Sequence, residues 1–128
     1  MREILFRGKT EKGEWIEGFY VKDVIETYIY DRYRNTRMQS VIPETVGQYT
    51  GLTDKNGERV FEGDILEFPD RLVEVFWHAH LGCWDSNFLK YTNKEKDRVD
   101  MSPCNWEYNS EVIGNIHDNP ELLKGGAE

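Results

Sequence analysis

Gln48-Tyr-Thr-Gly-Leu-Thr-Asp-Lys-Asn-Gly-Glu-Arg-Val-Phe-Glu-Gly-Asp-Ile-Leu-Glu-Phe68 decides the fold class. Short apolar runs alternate here with two glycine turns. In Asp54-Lys-Asn-Gly57, aspartate suits the first position of a type I turn and glycine the last. Asn56 or Gly57 readily takes the left-handed conformation that comes next. Arg59-Val-Phe-Glu62 then leads into Gly63, and Asp64-Ile-Leu-Glu-Phe68 resumes as a strand. Turn chemistry and hydrophobic runs agree at every step, which marks a strongly specified piece of β architecture.

The same character extends upstream. Glu3-Ile-Leu-Phe-Arg7, turn material at Lys9-Thr-Glu-Lys-Gly13, and the aromatic, β-branched run Glu14 to Val21 predict a hairpin. Apolar residues fall on both parities of its second strand, so neither face is expected to be open. Gly18 inside it suggests a bulge or a close backbone approach. From Val24 to Arg34, Ile25, Thr27 and Ile29 share one face and Tyr28, Tyr30, Arg32 and Arg34 the other. Met38 to Ile42 is a further brief strand. Pro43-Glu-Thr-Val46 predicts one helical turn, with proline at its first position and Glu44 near the positive dipole end.

Downstream, Pro69-Asp-Arg71 turns the chain into a strand over Leu72–His78, and another runs roughly from Cys83 to Leu89. Asn93 to Asp100 is a polar stretch of loop character. Trp106 to Tyr108 and Glu111 to His117 resume strand character. Asn119, Pro120 and Glu121 predict a short C-terminal helix by capping and dipole. The fold class is therefore all-β, with eight to ten short antiparallel strands. They are expected to make one domain over 1–128, in small barrel-like halves of about 1–47 and 48–123.

At 128 residues the chain has the length of one ordinary domain. Its four Trp, seven Tyr and six Phe offset a modest 38% hydrophobic content. With 24 acidic and 16 basic residues the formal charge is −8, which repels phosphate backbones and anionic headgroups. No apolar run reaches the roughly 18 residues of a membrane span, and Met1 to Arg7 has no signal-peptide core. Cytoplasmic location and reduced thiols at Cys83 and Cys104 are the expectation.

Three ordered stretches resemble the YopX family of phage and prophage proteins. They are Met1-Arg-Glu-Ile-Leu-Phe-Arg7, Pro43 to Gly57 followed by Phe61-Glu-Gly-Asp-Ile-Leu66, and Glu111-Val-Ile-Gly-Asn-Ile-His-Asp-Asn-Pro-Glu-Leu-Leu123. The resemblance spans nearly the whole chain. It implies a small, β-rich, barrel-like protein in the cytoplasm of a bacterial host, and it carries over no catalytic residue or cofactor. The motif positions Gln48, Tyr49, Thr50, Gly51, Asp54, Gly57, Glu62, Gly63 and Asp64 are read as structural. Departures fall around Tyr28–Arg37 and Trp77–Trp106.

Three constellations carry possible chemistry. His78-Ala-His80-Leu-Gly-Cys83 with the distant Cys104 offers four zinc-type ligands, but in no standard spacing. Its bland reading is strand-end imidazoles and buried thiols. Tyr28, Tyr30, Arg32, Tyr33, Arg34 and Arg37 form the local basic–aromatic patch, suited to stacking bases of a single strand. The bland reading there is a cross-strand aromatic cluster with solvated arginines. Glu62 and Asp64 flank one glycine, where Asp64 is read as accepting backbone N–H bonds and not as moving protons. No nucleophile elbow, phosphate loop, zinc-protease helix or dinucleotide fingerprint is present. The expectation is a non-enzymatic binding protein without cofactor, self-associating or docking on a host or phage protein. Nucleic acid at the Tyr28–Arg37 patch is the alternative, and zinc at His78, His80, Cys83 and Cys104 a second one.

Overall fold

A computed structural model describes residues 4–22, 26–31, 38–91 and 106–123. The chain divides into two compact units, Met1–Gly51 and Leu52–Glu128. Both are built from antiparallel strands, and the protein is all-β apart from single helical turns.

In the first unit, β1 (Phe6–Lys9), β2 (Trp15–Lys22), β3 (Thr27–Asp31), β4 (Met38–Ser40) and the start of β5 (Gly47–Thr53) lie in the order β4-β3-β2-β1-β5. Gly8 faces Ile16 across β1–β2, Ile29 faces Tyr20 across β2–β3, and Val41 donates its amide to Thr27 O. These residues therefore share one face. Ile16, Ile29 and Val41 form its buried centre, flanked by Phe6 and Val46. A Cβ built on Gly8 would stand 2.8 Å from Val41 Cγ2, so glycine is what lets β1 press onto that valine. The expected helical turn is a 3-10 turn at Pro43–Thr45. The Thr45 hydroxyl donates to Ile42 O at 2.6 Å and accepts the Lys9 amide at 2.8 Å, tying the turn to β1.

In the second unit, β5 ends in a hairpin with β6 (Arg59–Phe61). The strands β7 (Asp64–Glu67), β8 (Arg71–His78), β9 (Cys83–Tyr91) and β10 (Glu111–Asn115) follow in the order β10-β7-β8-β9. Val60, Leu66, Phe68, Val73, Val75 and Trp106 form the core, with Leu52, Trp84 and Val112 against it. Fully burying side chains of this size stabilises by roughly 1.5–3 kcal/mol each. A 3-10 turn at Pro120–Leu123 stands where a C-terminal helix was expected.

Several expectations need correction. Neither sheet closes on itself among the described residues, so the halves are open sheets and not closed barrels. Among the described residues the outermost strands β4, β6, β9 and β10 each pair on one side only. Trp106–Asn109 is one turn of α-helix, α1, not strand. The turn swings the Trp106 ring into the core, and Ser110 closes it by donating its hydroxyl to Trp106 O at 2.6 Å. The β2 register runs through Gly18 without a shift, while irregularities fall at Val112/Gly114 and Leu72/Val73. Finally, β2 outruns its core: Ile16 is buried, but Phe19, Tyr20 and Val21 are exposed.

Candidate interaction surfaces

Two of the polar motif residues, Asp54 and Asp64, hold turns through their carboxylates. Asp54 is 2% exposed. Its Oδ1 accepts the amides of Asn56 and Glu58, each at 2.9 Å, and its Oδ2 accepts the Val112 amide at 2.9 Å. One carboxylate thus shapes the β5–β6 turn and pins the start of β10 to it. Gly57 donates to Asp54 O at 3.0 Å and has φ +80°, as the turn requires. Asp64, also buried, accepts the Phe61 amide at 2.8 Å across the β6–β7 turn, as its place beside Gly63 suggested. Gly63 donates to Val75 O and accepts from Ile116 N, both at 2.9 Å. Gln48 stands opposite Phe6 in the β1–β5 ladder, Tyr49 donates its amide to Leu5 O, Thr50 is buried and Gly51 has φ +88°. Glu62 is half-buried.

A tight ion pair in the β7–β8 turn was not legible as such in the sequence. Arg71 donates Nε to Asp70 Oδ1 at 2.8 Å and a terminal nitrogen to Asp70 Oδ2 at 2.7 Å, with both residues largely buried. The guanidinium holds the Asp70 carboxyl below its ordinary value and is itself held more firmly protonated by it.

Of the zinc candidates, His78 ends β8 and His80 lies in the turn beyond it, their rings 6.5 Å apart. His78 Nδ1 accepts the Leu81 amide at 3.1 Å. Cys83 stands opposite His78 and is exposed, not buried as the bland reading had it. Cys104 lies outside the described residues. Among those described, no three His, Cys, Asp or Glu side chains gather as metal ligands do.

Of the basic–aromatic patch, Tyr28 and Tyr30 lie on β3, half-buried, and Arg32, Tyr33, Arg34 and Arg37 are outside the described residues. The register places Tyr30 opposite Phe19 and Met38, and Tyr28 opposite Val21 and Ser40. Arg7 and Trp15 lie in the neighbouring columns of the same face. The Arg7 guanidinium carbon sits 4.7 Å from the Trp15 ring centre.

The second unit has its own apolar surface on the β8–β9 hairpin. Trp77 continues the parity of Val73 and Val75 beyond the core and is 45% exposed. It meets Trp84 edge-on at 5.0 Å, and Phe88, 46% exposed, meets Tyr91 at a tilt with ring centres 4.7 Å apart. The backbone of β9 can be oriented as well. Phe68 donates to Arg71 O, so the odd-numbered residues of β8 turn their peptide groups toward β7, leaving Glu74, Phe76 and His78 to bond β9. Trp84, Ser86 and Phe88, their non-bonded neighbours, therefore point their amides and carbonyls away from β8. Asp85 Oδ1 takes the outward amide of Ser86 at 2.7 Å. Among the described residues the buried Ser86 hydroxyl has no partner. A single-sequence reading had no signal for this edge beyond the Trp77 parity.

These features define an all-β protein in which the buried Asp54 and Asp64 brace turns and the exposed surfaces include aromatic ones. The chain belongs to the YopX family, whose model matches residues 2–124. Among solved structures it is similar to protein EF1440 from Enterococcus faecalis. The two share 26% identity, with 96% of this chain and 99% of that one covered and a TM-score of 0.57. No curated protein matches the chain. No helix among the described residues is long and apolar enough to cross a membrane.

Proposed function

We propose that this YopX protein is a non-enzymatic accessory factor of a phage or prophage that works by binding protein, with a second copy of itself as the partner that β9 fits. The outward edge of β9 carries this reading. Pairing two copies antiparallel about Ser86 sets Trp84 opposite the partner's Phe88, Ser86 opposite Ser86 and Asp85 opposite Asn87. Residues two either side of the centre meet in hydrogen-bonded pairs, so the outward peptide groups are all used. No like charges face each other, and two aromatic pairs form. A long strand edge is a ready template for such pairing. Asp85, by occupying the Ser86 amide, masks the edge in the free chain, and the irregularity at Leu72/Val73 limits how far pairing can extend.

Light scattering over a wide concentration range tests it. Dimer mass should rise with concentration, vanish in Ser86→Pro and appear at lower concentration in Asp85→Ala. Proline at 86 removes only an outward amide, so the β8–β9 ladder survives. A wild-type chain that stays monomeric, or a Ser86→Pro chain that dimerises normally, refutes the pairing.

A further inference from the structure

We infer that the outer face of the first unit's sheet is a stacking platform for single-stranded nucleic acid, built on Phe19, Tyr28 and Tyr30, with Arg7 and Lys9 held over the Trp15 ring beside it. The core parity runs through Gly8, Ile16, Ile29 and Val41, which leaves the opposite parity of β1, β2 and β3 as a second face. On it, Phe19 pairs with Tyr30, Val21 with Tyr28, Lys9 with Trp15 and Arg7 with Glu17. Phe19 is 59% exposed, and Val21 and Met38 are exposed beside it. Soluble proteins rarely leave such a row of large apolar groups open without using it.

Neighbouring strands place rings about 4.8 Å apart and alternate residues place them about 6.7 Å apart. At that pitch, successive unstacked bases of an extended strand can each meet a ring, as they do on other sheet-face readers. Trp15 gathers the cations beside these rings: Arg7 lies 4.7 Å and Lys9 5.9 Å from its ring centre.

The acidic balance of the whole chain does not oppose this, because it is not shared evenly. Residues 1–51 carry eight basic and eight acidic side chains, and residues 52–128 carry eight basic and sixteen acidic. The formal charge of −8 thus belongs to the second unit, and the first is neutral. Cations flanking aromatic rings favour a phosphate-bearing strand over a purely apolar protein surface as occupant. Glu17 opposite Arg7 keeps the electrostatic share small, so stacking dominates. With about two phosphate contacts, the logarithmic salt slope for a single strand comes to roughly −1.4.

Fluorescence anisotropy with labelled oligo-dT and oligo-U tests the inference on the full chain. Both should bind at low salt, unlabelled duplex should compete poorly, and Phe19→Ala with Tyr30→Ala should weaken binding about tenfold or more. Phe19→Trp, which keeps a ring, should retain the affinity. Ser86→Pro should bind as the wild type does, which separates this surface from the β9 edge. No binding of either oligonucleotide at low salt overturns the inference. So does undiminished binding by the double alanine variant once circular dichroism shows it folded. A double variant that changes the oligomeric mass instead assigns the face to a protein contact and overturns it equally.

Discussion

Replacing Asp54 by alanine removes the carboxylate on which the second unit's turn and β10 both depend. Three backbone amides lose their acceptor: Asn56 and Glu58 in the turn, and Val112 on β10, each at 2.9 Å. Hydrogen bonds to a charged group contribute about 1.5–3 kcal/mol each. The two turn residues are exposed, so their amides recover water and their loss falls toward the low end. Val112 is half-buried and packs against the core, so its amide bears more of the penalty. The expected cost of Asp54→Ala is about 3–5 kcal/mol, a large share of the roughly 5–15 kcal/mol that stabilises a domain. Asp54→Asn separates the two arms. Its carbonyl can still serve the turn, but its amide nitrogen meets the Val112 N–H donor to donor, for an expected cost of about 2–3 kcal/mol. Urea denaturation followed by tryptophan emission, to which Trp77, Trp84 and Trp106 of this unit contribute, measures both. An alanine variant that loses less than about 1 kcal/mol refutes the bracing role, as does an asparagine variant fully as destabilised as alanine.

Other outcomes follow from the same structure. Gly8→Ala drives a methyl into the buried Val41 side chain and should cost about 1–3 kcal/mol, partly recovered by Val41→Ala in the same denaturation assay. Gly114→Ala collides with the Asn119 side-chain amide, whose oxygen accepts the Asn115 N–H, and should lower the thermal midpoint. Asp70, held below its ordinary 3.8 by Arg71, contributes stability that is full above that value and is lost as pH falls through the lower folded one, so Asp70→Asn should flatten the acid limb of a stability–pH curve. Glu74 has the opposite sign: burial raises it above 4.5, so its ionisation costs stability as pH climbs past that value, and Glu74→Gln should gain stability at neutral pH but not at pH 3. Added salt should have contrary effects on the two surfaces. Screening over about 8 Å at physiological ionic strength relieves repulsion between the acidic second units and strengthens self-association, while it weakens oligonucleotide binding, and titrations in low and moderate salt read both.

The parts of the fold legible in the sequence are those fixed by local chemistry. Asp54, Gly57, Gly63 and Asp64 specify their turns through their own backbone preferences, and Pro43 and Pro120 mark the single helical turns where they were expected. What escaped depends on distant partners. Trp106 reads as strand because an aromatic flanked by polar residues suits one, yet the core it fills is assembled from β6, β7 and β8. Apolar residues on both parities of β2 suggest cover on both faces, but the register with β3 leaves Phe19 and Val21 open. The tyrosines of the candidate patch were visible, whereas Phe19 and Trp15 joined them only once strand pairing was known. The Asp85–Ser86 bond at the β9 edge has no sequence signature, because any strand can be an edge until its neighbours are placed.

Amide hydrogen exchange along Cys83–Tyr91, measured at low and high protein concentration, tests the binding role most directly. Association through β9 predicts that the amides of Trp84, Ser86 and Phe88 slow markedly at high concentration while those of Cys83, Asp85 and Asn87, already bonded to β8, change little. Concentration-independent exchange at Trp84, Ser86 and Phe88 contradicts it.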